Sequence, residues 1–188
     1  MTRPYELRRR AERMAETRRR IVEAAVELHT SVGPARTAIA AIAERAGVQR
    51  HTVYAHFPDR VSLFRACSAH WRERHPFPDL SHVETIELPE ERLRAGLGAL
   101  YGWYERVEQD LALFLRDADA VPPGLQAEDA QRYAFLVATL ARGWPRRAPV
   151  RAAIGHSAEF ETWRSLCRRH RLSRRAAVDS MVSLAASV

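Results

Sequence analysis

The sequence contains no lysine and no asparagine. All 30 of its basic residues are arginine, set against 23 Asp and Glu. Codons for the two missing residues are AT-rich, so their absence points to a GC-rich genome more than to a physical need. Cysteine is scarce. Cys67 and Cys167 are too few for a disulfide framework, and a reducing cytoplasm is the expected setting. Long apolar runs are missing as well. The longest, Ala38 to Ala43, falls far short of the ~20 residues a membrane span needs. The Arg-rich N-terminus has no apolar stretch behind it, which argues against a secretory signal. No membrane partner is expected.

What is present describes a globular chain of 188 residues, 46% hydrophobic and 28% charged. The formal charge is +7. Residues 1–75 hold 15 Arg and 8 acids, and residues 76–188 hold 15 of each, so the whole excess lies in the first part. Such asymmetry suggests a nucleic-acid or membrane partner for the basic segment. The later segment is itself divided, with 4 Arg and 12 acids over 76–130, then 11 Arg and 3 acids over 131–188. Complementary packing between helices is the expected use of that division.

The periodicity is helical almost throughout, and no strand is expected. Ile21, Ala24, Ala25, Leu28 and Val32 form one apolar stripe, ended by Gly33-Pro34. Thr37 is positioned to cap the next helix, whose inward residues are Ile39, Ile42 and Ala43. Gly47 suits the left-handed position beyond a helix end. A short helix follows over Arg50 to Phe57, and another over Val61 to Trp71. Pro76, Pro78 and Pro89 bracket a linker. Pro89 then opens a strong helix with Glu90 and Glu91 in its first turn. Gly96, Gly98 and Gly102 weaken that helix or mark close packing. Further helices are expected from Leu111, over Gln131 to Trp144, Val150 to His170 and Ser173 to Val188. The domains are therefore an Arg-rich arm (1–17), a basic helical domain (18–75) and a second helical domain (76–188).

The segment AIAAIAERAGVQRHTVYAHF, Ala38 to Phe57, places Ile39, Ile42, Ala43 and Val53 inward. Stepping ~100° per residue from Val53 brings Phe57 to the same side and leaves His51, Thr52, Tyr54 and Ala55 outside. A bracing helix, a tight turn and a second helix with a polar outer face are what a helix-turn-helix needs to enter a major groove.

Residues 18–66 resemble the DNA-binding domain of TetR-like transcriptional regulators of the TetR/AcrR family. The likeness is carried by RRRIVEAAVELHTSVG and TAIAAIAERAGVQRHTVYAHFPDRVSLFRA. The remaining chain is similar only in its all-helical layout, apart from AAIGHSAEFETWRSL, which looks like the penultimate helix of some members. The resemblance implies an all-α protein with an N-terminal helix-turn-helix and a helical effector-binding and dimerisation domain. It implies base contacts by Gln49, Arg50, His51 and Thr52. Tyr54 and His56 would meet phosphate or base, and Arg60 and Thr37 phosphate. Gln49 stands where serine is common, His51 where a smaller residue is frequent, and Ala38 replaces a hydroxyl. Arg50 can bond bidentately to guanine, worth ~1–3 kcal/mol of discrimination. Arg8, Arg9 and Arg10 form one arm cluster and Arg18 to Arg20 a second, able to follow phosphates or enter a narrow minor groove.

The resemblance also implies an effector pocket in the second domain. Among its aromatic and polar residues, Tyr101, Tyr104, Phe135 and His156 are the candidates for a small hydrophobic effector. Val178, Met181, Val182 and Ala185, with Ile154 and Ala158 before them, form apolar stripes suited to homodimerisation or to packing within one chain. Cys67-x-x-His70 and Cys167-x-x-His170 have helical spacing, but they lie on distant segments and lack the converging ligands a metal site needs. No metal, cofactor or catalytic residue is expected, and the chain does not read as an enzyme. The expected function is a homodimeric repressor released from a palindromic operator by an effector. Alternatives are a DNA-binding dimer without small-molecule input, and a helical metal-binding protein using the Cys/His pairs.

Overall fold

The computed structural model describes residues 3–188, with side chains from Tyr5 onward. The first two positions of the arm, Met1 and Thr2, lie outside the described residues. Among the described residues every regular element is helical. They divide into two compact units. One runs to Pro76 and includes Gln109–Gln126; the other comprises Phe77–Glu108 and Ala127–Val188. Residues 109–126 thus leave the C-terminal part expected over 76–188.

In the first unit, α1 (Arg3–Ser31) takes in the arm and the Ile21 stripe as one helix. Its buried residues Ile21 and Ala25 pack with Ile42 and Ala43 of α2 (Ile39–Arg45) and Val53 of α3 (Arg50–His56). Phe57, and Leu63 and Cys67 of α4 (Arg60–Arg74), complete this core. Burying each large side chain is worth about 1.5–3 kcal/mol. Ala38, not Thr37, occupies the cap position of α2. The Thr37 hydroxyl instead donates to the Gly33 carbonyl at 2.9 Å, closing the 3₁₀ turn Pro34–Arg36 that follows α1. Asp59 caps α4, accepting from the Ser62 amide at 2.7 Å. Trp71 of α4 donates its indole N–H to Asp110 at 2.7 Å and meets Phe114 edge-on at 5.3 Å.

Those two partners belong to α6 (Pro89–Arg116), which follows the single turn α5 (Ser81–Glu84). No break precedes Leu111, because neither proline nor glycine interrupts the chain between Val107 and Leu115. α6 contributes its earlier turns to the second unit and its last two to the first. α7 (Pro123–Leu140) begins earlier than the expected Gln131. Pro123 is its first residue, where a missing N–H is harmless. The expected helix over Val150 to His170 is divided. α8 (Ala148–Ala158) stops at Glu159, which is extended at φ −72° and ψ 142°, and α9 (Phe160–Arg164) continues as a π turn to Arg169. α10 (Arg174–Ser187) is capped by Ser173.

The second unit has Leu93, Leu97, Leu100, Tyr101, Ile154, Trp163, Ala177 and Val182 at its centre. Two of the α6 glycines permit close packing. A Cβ on Gly96 would overlap the Leu140 side chain, and one on Gly102 the Arg174 guanidinium, whereas Gly98 faces open space. No helix among the described residues is long and apolar enough to cross a membrane.

Candidate nucleic-acid interface

The recognition surface starts from the turn between α2 and α3. Ala46 closes α2, and Gly47 reverses the chain at φ +64°, a conformation glycine adopts without steric cost. The Val48 amide then donates back to the Ala43 carbonyl at 2.9 Å, so α3 leaves at a fixed angle. Arg20 of α1 holds the turn from outside by donating to the Ala46 carbonyl and, at 3.3 Å, to that of Gly47.

On α3, only Val53 is buried, and Phe57 just beyond it is also buried. Gln49, Arg50, His51, Tyr54 and Ala55 are exposed, and Thr52 and His56 are half-buried. Of the four expected base-contacting residues, Gln49, Arg50 and His51 are thus exposed and Thr52 is half-buried. Tyr54 keeps 48% of its area accessible, which suits a flanking contact and not a core role. Thr37 is half-buried with its hydroxyl proton committed to Gly33. Its backbone N–H is committed as well, to the Pro34 carbonyl at 3.3 Å. Arg60 lies 5.3 Å over the Phe64 ring and is exposed at the start of α4.

The two arm clusters differ in their neighbours. Arg18 stacks at 4.5 Å over Phe57. Arg19 pairs with Glu16 and Glu23, both at 2.7 Å. Arg20 holds the turn. Arg18 and Arg20 thus tie α1 to the end of α3 and to the α2–α3 turn, and Arg19 pairs within α1. Arg8, Arg9 and Arg10 stand on exposed turns of α1, with Arg8 paired to Glu12 at 3.0 Å and Arg9 5.8 Å from the Tyr5 ring centre. A helix about 10–12 Å across does not fit a minor groove about 6 Å wide. The helix itself is therefore too wide to lie in a minor groove, and any entry would be by arginine side chains alone.

Sequence reasoning missed several supporting residues because their partners are distant in sequence. Arg45 of α2 pairs with Glu27 of α1, its Nε donating at 2.8 Å. Asp117 accepts from the Ala35 amide at 3.0 Å and from Arg116 at 2.7 Å. That pairing holds its carboxyl down at about 2. His29 lies 5.1 Å from the Phe64 ring, and its burial, with Arg60 nearby, lowers it to about 4.

Of the effector candidates in the second unit, Tyr101 and Tyr104 stand together, with ring centres 6.3 Å apart. Tyr101 and Tyr104 are buried, and their hydroxyls donate to the carbonyls of Ser157 and Ala158 at 2.7 and 2.6 Å. Burial raises both hydroxyls above the ordinary tyrosine range. Phe135 is 70% exposed. His156 is exposed and faces Thr162 at 3.3 Å and Glu159 at 3.4 Å. Ile154, Ala158, Val178, Met181, Val182 and Ala185 are all buried within the single chain. Their stripe packs within one chain, the second of the two uses its spacing allowed, because apolar helical spacing looks the same for inner and outer partners. No group of three or more His, Cys, Asp or Glu suited to a metal occurs among the described residues. Burial pushes the Cys67 thiol up to about 12.

Residues 21–67 match the family described as bacterial regulatory proteins, tetR family. The chain is 42% identical over 69 residues to the HTH-type transcriptional regulator TtgR of Pseudomonas putida, 37% of this chain and 33% of that one. A probable HTH-type regulator of Pseudomonas putida, ArpR, matches to the same extent. The chain thus spans about a third of the length of these relatives. In fold it is similar to a TetR-like regulator from Rhodococcus sp. RHA1, with a TM-score of 0.61, 20% identity and coverage of 90% and 93% of the two chains. It is also similar to the Bacillus subtilis regulator FadR, solved with stearoyl-CoA, with a TM-score of 0.52, 19% identity and coverage of 89% and 97%.

Proposed function

We propose that this chain, a member of the tetR family of bacterial regulatory proteins through its residues 21–67, is a homodimeric repressor of transcription acting in the cytoplasm. One observation carries the reading: the exposed face of α3, with Gln49, Arg50, His51 and Tyr54, stands on a buried Val53–Phe57 base beyond the Gly47 turn. Arg50 reads a guanine edge and Tyr54 and Arg60 fix register on phosphates. A two-fold dimer presents two such helices to half-sites about 34–36 Å apart, so the operator is a near-palindrome. Arg8, Arg9 and Arg10 add sequence-independent affinity.

Self-association uses the outer faces of α8 and α10, not their buried stripes. Ala152 and Gly155 on α8 and Ser180, Ser183 and Leu184 on α10 are exposed or half-buried, and mostly small enough for close helix approach. A small apolar effector shifts the spacing of the two heads by its unequal affinity for the two arrangements. The acyl ligand of the FadR neighbour agrees with such an effector in kind. The committed hydroxyls of Tyr101 and Tyr104 favour a second reading, a DNA-binding dimer without small-molecule input.

The test is anisotropy titration of duplexes from the DNA upstream of the gene against scrambled duplexes. Saturable, sequence-dependent binding that Arg50→Ala weakens supports the reading. Equal affinity for both duplexes sinks it.

A further inference from the structure

The end of α6 closes on the turn between α1 and α2. Asp117 follows the helix directly and is 8% exposed. Its Oδ2 accepts from the Ala35 amide at 3.0 Å and from Arg116 Nη2 at 2.9 Å, and its Oδ1 accepts from Arg116 Nε at 2.7 Å. Arg116 Nη2 also donates at 2.9 Å to the carbonyl of Val32, at the end of α1. A cation against the terminal carbonyls of one helix is favourable on dipole grounds. The same carbonyl receives Arg36 Nε at 2.8 Å. Gly33 between them is buried at φ +95°, and a Cβ there would overlap both Arg116 and Asp117. The glycine therefore serves two needs at once, the backbone reversal and the space for the ion pair.

We infer that the Arg116–Asp117 pair is a latch that positions the reading head, fixing the α1–α2 turn and thereby the start of α2 on which α3 rests. This deepens the DNA-reading proposal and rests on it. The chain path supports the assignment. Ala35 lies within the 3₁₀ turn, and only Arg36, Thr37 and Ala38 separate it from α2, so the latch holds the approach to α2, while the far end of α2 is held by Arg45 on Glu27 and Arg20 on the Ala46 carbonyl. The latch lies at the end of α6, which, like α7, supplies residues to both compact units. Arg116 and Asp117 are positioning residues and make no DNA contact themselves.

The experiment uses the full chain and a duplex that the unaltered protein selects from random-sequence DNA. Asp117→Ala should speed exchange of the Ala35 amide by about tenfold or more, since its acceptor is gone. It should weaken binding to the selected duplex by about tenfold while leaving affinity for random duplex within about twofold, because nonspecific binding depends on charge and little on register. Asp117→Asn, which keeps an acceptor for Ala35 but loses the charge facing Arg116, should fall between, at about threefold. Arg116→Ala, an exposed change expected to fold, should reproduce the loss of selectivity. If Asp117→Ala frees the Ala35 amide yet both variants keep full selectivity, the latch only stabilises the turn and the inference is overturned. Equal loss on both duplexes overturns it as well. Failure of the unaltered protein to select any sequence overturns the DNA-reading proposal, and this one with it.

Discussion

The guanidinium of Arg18 lies 4.5 Å above the ring of Phe57, so α1 and the residue that ends α3 are joined by one stacked pair. With Arg20 bonded to the carbonyls of Ala46 and Gly47, the second arginine cluster is part of the fold of the reading head.

Stability and DNA affinity should accordingly separate along α1. Arg18→Ala and Arg20→Ala should each cost about 1 kcal/mol, through lost cation–π and charge-assisted contacts, seen as a lower Tm. Replacing Arg8, Arg9 and Arg10 together by Ala should leave Tm in place. It should lower the slope of log affinity against log salt on random duplex by about 1–3, at ~0.9 per phosphate neutralised. An unchanged slope would remove this cluster from the interface.

Much of the head was legible because its signals are local. Gly47 stands where the chain reverses, and Val53 and Phe57 lie one helical turn apart and face inward together. Thr37 is no cap because α2 begins one residue later, with Ala38 at the cap position, and the Thr37 hydroxyl donates to the Gly33 carbonyl instead. The C-terminal stripes told which residues are apolar but not what covers them, and Val178 to Ala185 proved to be interior. Arg20, Arg45 and Asp117 were unreadable in principle, since each meets a partner 18 or more positions away.

Base reading should be concentrated in Arg50. Arg50→Ala should cost ~1–3 kcal/mol on the operator and relax the preference at one base pair. Tyr54→Phe keeps the ring and removes the hydroxyl, so it should weaken binding uniformly across sequences if that hydroxyl meets phosphate. A competition assay over single-base variants of the operator distinguishes the two patterns. Arg50→Ala with an unaltered base preference would displace the contact to Gln49 or His51.

Acid should loosen the first unit through His29. Folding lowers this imidazole from 6.5 to about 4, because a charged ring is disfavoured between α1 and Phe64. Between those values the unfolded chain binds the proton and the folded chain does not. The stability from the neutral ring is therefore complete above about pH 6.5 and declines as pH falls toward about 4, by up to ~3 kcal/mol. Urea unfolding at pH 7, 5.5 and 4.5 measures the decline. His29→Phe should make it shallower across that window; an identical profile in the variant would assign the acid sensitivity elsewhere.

Dimerisation should respond to the outer face of α10 and not to its buried stripe. Leu184 is 39% exposed, whereas Val182, two positions before it, is 1% exposed. Glutamate at Val182 buries an unpaired charge and should unfold the second unit, at a cost of several kcal/mol. Leu184→Glu should leave helix content and Tm of the protomer nearly unchanged, because the side chain meets solvent there. In a dimer, two such carboxylates near the two-fold axis repel and lose their hydration, so sedimentation should show a dissociation constant raised at least about tenfold, which corresponds to 1.4 kcal/mol. Operator affinity should fall with it, since half-site spacing couples the two heads only while they are joined. A folded Leu184→Glu protein that remains fully dimeric at nanomolar concentration would move the interface off α10 altogether.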